Sequence, residues 1–211
     1  ASFEGIDVLT RPLLEAQVAD LSDSIAYDHH DVDDGLKSGL LTEEQLASVR
    51  LWAEALSAVR ARHPDLSPTE RRVTTVRHMI DRAVTLLVEC TDARIRDADA
   101  KSPEEVRGWK ENLAAFPEDF IKQRREMQGF LHRELYGHYR VRRMQIKAER
   151  FLREMFTEYH RNPDQLPTEY REGIRRDPAS KKQVIADYVA GMTDRFAQEE
   201  YKRLFHPFER M

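Results

Sequence analysis

Apolar side chains recur every three or four residues along most of the chain, and no segment shows the alternating pattern of a half-buried strand. This spacing is typical of amphipathic helices. Two capping boxes, Thr42 with Gln45 and Ser67 with Glu70, add start signals for two of the helices. Helices are therefore predicted at about 13–31, 42–61, 68–97, a short segment from 102, 117–136, 141–159, 167–175 and 180–205.

Two of these helices carry an apolar stripe that we expect to face the core. In the helix at 68–97 the stripe consists of Val73, Val76, Ile80, Val84 and Leu87. In the helix at 141–159 it consists of Met144, Ala148, Phe151 and Met155. Gly137 is expected to separate this second helix from the one before it.

The composition of the 211 residues limits the class of protein, because 40% are hydrophobic and 34% are charged. The longest apolar run, at 113–116, is far shorter than the roughly 20 residues that cross a bilayer, so no membrane partner is expected. The 34 basic and 38 acidic side chains give a net charge of −4, so nucleic acid is not expected either. The single cysteine, Cys90, fits a reducing compartment. The sequence predicts a cytoplasmic, all-α protein in which residues 1–211 form one bundle-like helical domain of about seven helices.

The first predicted helix has two opposed faces when its residues are placed at intervals of about 100°. One face is apolar and carries Leu14, Val18, Leu21 and Ile25. The other face carries Asp20, Asp23, Tyr27, His30, Asp31 and, if the helix extends that far, Asp34. Carboxylates three residues apart repel each other unless a cation lies against them, and the added ring and imidazole suit metal or sugar binding. A solvated helix face without a ligand is the alternative interpretation.

A local positive region lies between Lys122 and Arg153, where ten Lys or Arg residues stand against three Glu. Its densest part mixes guanidinium groups with aromatic rings, which suits the recognition of a triphosphate and a sugar or base. The candidate substrate-binding residues of this segment are Arg133, Tyr136, His138 and Arg140. An ordinary solvated helix face would show the same composition, so both interpretations stay open.

Three stretches of the sequence resemble one enzyme family, in the order expected for that family. The first is 14–35, LEAQVADLSDSIAYDHHDVDDG; the others are YRVRRM from 139 with Lys147-Ala148, and DYVAGMTDRFA from 187. Together they resemble the C-terminal half of the deoxyguanosine triphosphate triphosphohydrolases of the HD superfamily. The resemblance covers nearly the whole chain.

The resemblance implies cleavage of a deoxynucleoside triphosphate to the deoxynucleoside and tripolyphosphate. It also implies a divalent metal, Mg or Mn, held by a His, a His-Asp pair and a later Asp. Asp23 matches that later Asp. Tyr27 matches the position that packs on the deoxyribose, and Asp31 matches the position that contacts its 3′-hydroxyl.

The sequence departs from the family pattern because no histidine precedes His29, so the first His and the His-Asp pair have no counterpart upstream of Asp23. One explanation is that the chain is the C-terminal part of a longer triphosphohydrolase, which the missing initiator Met favours. The other is a noncatalytic helical regulatory or interaction module. A homo-oligomer is left open as the assembly state.

Overall fold

The computed structural model describes residues 10–206, and in this part of the chain every regular element is helical. The α-helices are α1 (Leu14–Lys37), α2 (Glu43–Leu46), α3 (Arg50–Arg62), α4 (Pro68–Ala98), α5 (Pro103–Gly108), α6 (Glu118–Leu131), α7 (Tyr139–Arg161), α8 (Thr168–Arg176), α9 (Lys181–Ala190) and α10 (Asp194–Phe205). A π-helical turn, His132–Tyr136, follows α6, and 3-10 turns cover Pro163–Gln165 and Pro178–Ser180. None of these helices combines the length and the apolar character needed to cross a membrane. The all-α prediction is confirmed.

Residues 10–206 contain ten α-helices where the bundle was expected to have about seven, and two of the eight predicted helical segments are each interrupted to give two helices. The helix at 42–61 breaks before α3, where the backbone of Val49 is extended with φ −91° and ψ 115°. The helix at 180–205 breaks after Ala190, and the Thr193 hydroxyl then caps α10 by accepting a hydrogen bond from the Phe196 amide at 3.3 Å. In contrast, α1 continues to Lys37 instead of ending near residue 31, so it includes Asp34.

The chain divides into two compact units, one up to His138 and one from Tyr139 onward. In the first unit α4 packs against α1 and α3, and α6 packs against the same two helices. Its core includes the fully buried side chains of Trp52, Leu46, Met127, Leu131 and Val32. The single-domain interpretation of residues 1–211 stays a prediction, because compact grouping and independent folding are different properties.

The second unit is built on α7, which packs against α9 and α10, while α8 packs against α9. Its core is small and partly aromatic. Tyr188 is central to it: its ring centroid lies 5.5 Å from that of Tyr159 and 4.7 Å from that of Tyr170. The buried Tyr159 hydroxyl donates a hydrogen bond to Glu200 at 2.8 Å, which satisfies its polar end.

Two residues of the predicted apolar stripes lie at the surface instead of in the core. Val84 is 45% exposed, because the buried line along α4 passes through Met79, Ala83 and Leu87 and leaves Val84 about 100° away from it. Met144 is 60% exposed, because the buried part of α7 begins further along the helix, towards Met155. The remaining members of both stripes are buried or half-buried.

The predicted capping box at the start of α4 provides a stability test. The Ser67 hydroxyl accepts a hydrogen bond from the Glu70 amide at 3.4 Å, and the Glu70 carboxylate accepts one from the Ser67 amide at 3.0 Å. We expect Ser67→Ala to lower the free energy of unfolding by about 1 kcal/mol, because a donor in the first turn loses its acceptor. Urea denaturation of the variant beside Ser57→Ala, an exposed serine inside α3, measures this difference. Equal midpoints for the two variants would contradict it.

Candidate functional site

The outward face of α1 carries the residues predicted to bind metal and sugar. Asp23 and His30 are exposed, Tyr27 is 62% exposed and Asp31 is half-buried. The spacing of four residues between Asp23, Tyr27 and Asp31 places them on one side of the helix. Within residues 10–206 the Asp23 carboxylate forms no ion pair or hydrogen bond, so its oxygens are accessible.

Tyr136, from the π-helical turn, joins this face of α1. Its hydroxyl donates a hydrogen bond to Oδ2 of Asp31, which is 105 positions away in the sequence. The pKa of the Tyr136 phenol is raised above its ordinary value, first by burial, then by Asp31 and by the nearby Tyr27 hydroxyl. Tyr136 therefore remains a protonated donor. We call Tyr27, Asp31 and Tyr136 the sugar-face cluster.

The π-helical turn depends on Gly137. The Gly137 amide donates a hydrogen bond to the His132 carbonyl five residues earlier, at 3.1 Å. A Cβ at this position would collide with the carbonyl oxygen of Arg133, so a side chain would force the backbone to move. Leu135, which is buried in the core of the first unit, anchors the turn. The His132 ring lies 6.4 Å from the Tyr136 ring, nearly perpendicular to it, next to the cluster; the sequence analysis did not single it out.

The other candidates of the basic segment occupy separate places. Arg133 is exposed and its guanidinium lies beside Gly129 of α6. His138 is half-buried at the end of the first unit. Arg140 belongs to the second unit, where its guanidinium carbon lies 5.9 Å from the centre of the Tyr139 ring. The substrate-binding roles of Arg133, His138 and Arg140 stay predictions.

The inward side of α1 carries charge that the sequence analysis did not predict. Asp28 is 5% exposed and Arg124 of α6 is 9% exposed. The Arg124 Nε and Nη2 atoms donate to Oδ2 of Asp28 at 3.0 Å and 2.6 Å, and the Gln128 amide donates to both of its oxygens at 3.1 Å. Local sequence contains no signal for this group, because its members are separated by about one hundred positions.

His29, the neighbour of Asp28, is also completely buried. Its Nδ1 is hydrogen-bonded to the carbonyl oxygen of Ile25 at 2.6 Å. Burial lowers the pKa of the imidazole below its ordinary value, and the Ile25 carbonyl opposes this only in part. His29 therefore lies in the folded protein as a neutral ring.

The residues present do not make a metal site on their own. Among residues 10–206 no three His, Cys, Asp or Glu side chains are grouped so that they could hold an ion. Asp23 is one donor of the set that the family resemblance implies, and the His and the His-Asp pair of that set have no counterpart upstream of it.

Known proteins provide the next comparison. Residues 114–203 match the family described as "Phosphohydrolase-associated domain". A protein of Geobacter metallireducens named "Deoxyguanosinetriphosphate triphosphohydrolase-like protein" is 39% identical over 200 residues, which are 95% of this chain and 51% of that protein. Proteins of the same name from Azoarcus sp. and Bordetella pertussis are 44% identical over 196 residues, or 93% of this chain and 51% and 50% of theirs. The chain is therefore similar, along nearly its whole length, to about half of each of these proteins.

The resemblance predicted from the sequence is thus confirmed. The chain spans about half the length of the curated triphosphohydrolase-like relatives that it matches. The phosphohydrolase-associated match includes α6, the π-helical turn and α7 to α10, so it contains Arg124, Gln128 and Tyr136.

The buried His29 generates a prediction on pH dependence. Its pKa is lower in the folded than in the unfolded protein, so the unfolded state binds more protons below the ordinary value of about 6.5. The free energy of unfolding should therefore fall as the pH decreases from 6.5 towards 5, with a contribution from His29 of at most about 1.4 kcal/mol per pH unit. Denaturation at several pH values should show a shallower decrease for His29→Gln. The exposed His30→Gln should keep the parent slope; parallel curves for all three proteins would contradict the assignment.

Proposed function

We propose that the chain is the C-terminal part of a metal-dependent deoxynucleoside triphosphate triphosphohydrolase and that the sugar-face cluster binds the deoxyribose of its substrate. The observation that carries the proposal is the convergence of Tyr136 with Tyr27 and Asp31 across 105 sequence positions. The name of the relatives, deoxyguanosinetriphosphate triphosphohydrolase-like protein, supports dGTP as the substrate. Cleavage would yield deoxyguanosine and tripolyphosphate.

The chemistry of the cluster suits a 2′-deoxyribose. The exposed Tyr27 ring offers an apolar surface on which the sugar can pack. The Asp31 carboxylate can accept a hydrogen bond from the 3′-hydroxyl, and the protonated Tyr136 hydroxyl remains a donor beside it. A 2′-hydroxyl would be pressed against the Tyr27 ring without a partner, which disfavours ribonucleotides.

The remaining site residues are assigned by the same proposal. Asp23, one turn before Tyr27, supplies one ligand of a divalent ion, Mg or Mn, whose other donors lie outside the described residues. Arg133, His138 and Arg140 neutralise the triphosphate, which carries several negative charges. A cytoplasmic location and a homo-oligomeric assembly belong to the proposal as well.

The 211-residue chain by itself should not hydrolyse dGTP. A single carboxylate from Asp23 cannot replace the four-residue ligand set that the family resemblance implies. The test is an assay for tripolyphosphate release with Mg or Mn present, beside the same chain extended on its N-terminal side to the length of its relatives. Release by the extended protein only is the expected result. Robust turnover by the 211 residues would refute the argument, and release by neither would favour a noncatalytic module.

In the extended protein, Asp23→Ala and Tyr27→Ala should have different effects. Loss of the Asp23 carboxylate should abolish turnover because the ion loses a ligand. Loss of the Tyr27 ring should chiefly reduce the ratio of kcat/KM for dGTP over GTP, by about tenfold or more, since nothing then crowds a 2′-hydroxyl. Ser57→Ala, an exposed position of α3 outside the predicted site, is the control and should keep the parent ratio. A Tyr27 variant with full preference for deoxynucleotides would show that the sugar contact is wrong.

A further inference from the structure

A buried polar contact joins the two helices that build the sugar-face cluster. Asp28 of α1 accepts hydrogen bonds from Arg124 and Gln128, which lie one turn apart on α6. The Arg124 guanidinium also lies over the Phe116 ring, 5.0 Å from its centre. The Phe116 ring packs against the face of the guanidinium and the Asp28 carboxylate binds its edge, so the guanidinium is restricted both perpendicular to its plane and within it. We call Asp28, Arg124 and Gln128 the clamp.

The clamp lies directly behind the cluster. Asp28 is between Tyr27 and Asp31 in the sequence, but its side chain is buried while Tyr27 faces outward. The same turn of α1 therefore forms both the clamp and the cluster. On the other side, Gln128 of α6 precedes Tyr136 of the π-helical turn by eight residues. A tilt of α6 at the clamp would therefore displace Tyr136 relative to Asp31.

Stability alone does not explain a buried ion pair. Replacing such a pair with apolar residues of similar volume is often neutral or stabilising, whereas removal of one partner leaves an uncompensated charge. Apolar contacts would hold α1 and α6 together without fixing their register, because such contacts have little directionality. Hydrogen bonds from two successive turns of α6 to a single carboxylate fix both the register and the tilt.

We propose that Asp28, Arg124 and Gln128 are positioning residues, which hold α6 against α1 so that the Tyr136 hydroxyl reaches Asp31 and Tyr27. The claim that the clamp places Tyr136 is argued from geometry alone. The claim that this placement affects the preference for deoxyribose rests on the proposed function.

The first test measures the placement of Tyr136 in the 211-residue chain. The double variant Asp28→Leu with Arg124→Met removes both charges and keeps an apolar filling, a replacement that is often neutral for stability. The matched control is Glu54→Leu with Arg82→Met, which removes the ion pair between α3 and α4 at 2.6 Å. The Tyr136 ring carbon resonances are followed by NMR with ¹³C-labelled tyrosine between pH 8 and 11.5, with Tyr136→Phe for assignment.

In the parent and the control, Tyr136 should ionise at a higher pH than an ordinary tyrosine, because burial and Asp31 raise its pKa. The clamp variant should ionise near the ordinary tyrosine value of about 10. An unchanged titration in a folded clamp variant would overturn the positioning role. If the double variant does not fold, Gln128→Leu, which removes one donor and no charge, takes its place with a smaller expected shift in the same direction.

The second test measures the consequence in the extended protein. The clamp variant should lose about tenfold in the ratio of kcat/KM for dGTP over GTP, while the control keeps the parent ratio. A shifted Tyr136 titration with an unchanged ratio supports the clamp and overturns the sugar contact of the proposed function. An unshifted Tyr136 titration overturns the positioning role of the clamp. The sugar contact of the proposed function is then tested by the Tyr27 variant alone.

Discussion

The first unit depends on the burial of one carboxylate between two helices. Asp28 has almost no contact with solvent, and a buried charge without partners is far more costly than one that is paired and hydrogen-bonded. Helix α6 must therefore lie where Arg124 and Gln128 can both reach it. Apolar packing holds the helices together, but this polar contact decides their register. The position of Tyr136, about two turns after Gln128, depends on that register.

A single turn of α1 thus has two environments. Inward, Asp28 and the neutral His29 lie in the core, where each polar group needs a specific partner or carries a shifted pKa. Outward, Tyr27 and the carboxylate of Asp31 meet solvent and the Tyr136 hydroxyl. A rotation of α1 about its axis would expose the buried Asp28 and His29 and bury Tyr27, so the helix is restricted to one orientation. The inward contacts thereby fix the orientation of the exposed face that carries the proposed sugar contact.

The match to the phosphohydrolase-associated family covers α6 and most of the second unit. Its range begins just before Phe116, whose ring lies beneath the Arg124 guanidinium, and continues through the aromatic core around Tyr188 in the second unit. The relatives are about twice as long, and residues 10–206 of this chain do not group the donors that a metal ion would need. Among the described residues, the proposal assigns the metal contact to Asp23, the sugar contact to the sugar-face cluster and the triphosphate contact to Arg133, His138 and Arg140.

Local sequence determined the helices and the exposed face of α1, since periodicity, the capping box at Ser67 and the spacing of Asp23, Tyr27 and Asp31 act within a few turns of one helix. The sequence pattern did not predict the break between α9 and α10, where Thr193 caps the start of α10. It also did not predict that Met144 is exposed, because the apolar stripe of α7 begins before the part of the helix that is packed. The pairing of Asp28 with Arg124 and of Asp31 with Tyr136 was decided by tertiary structure alone. Such contacts depend on how two helices pack in space, and a helical pattern records only which side of each helix is apolar.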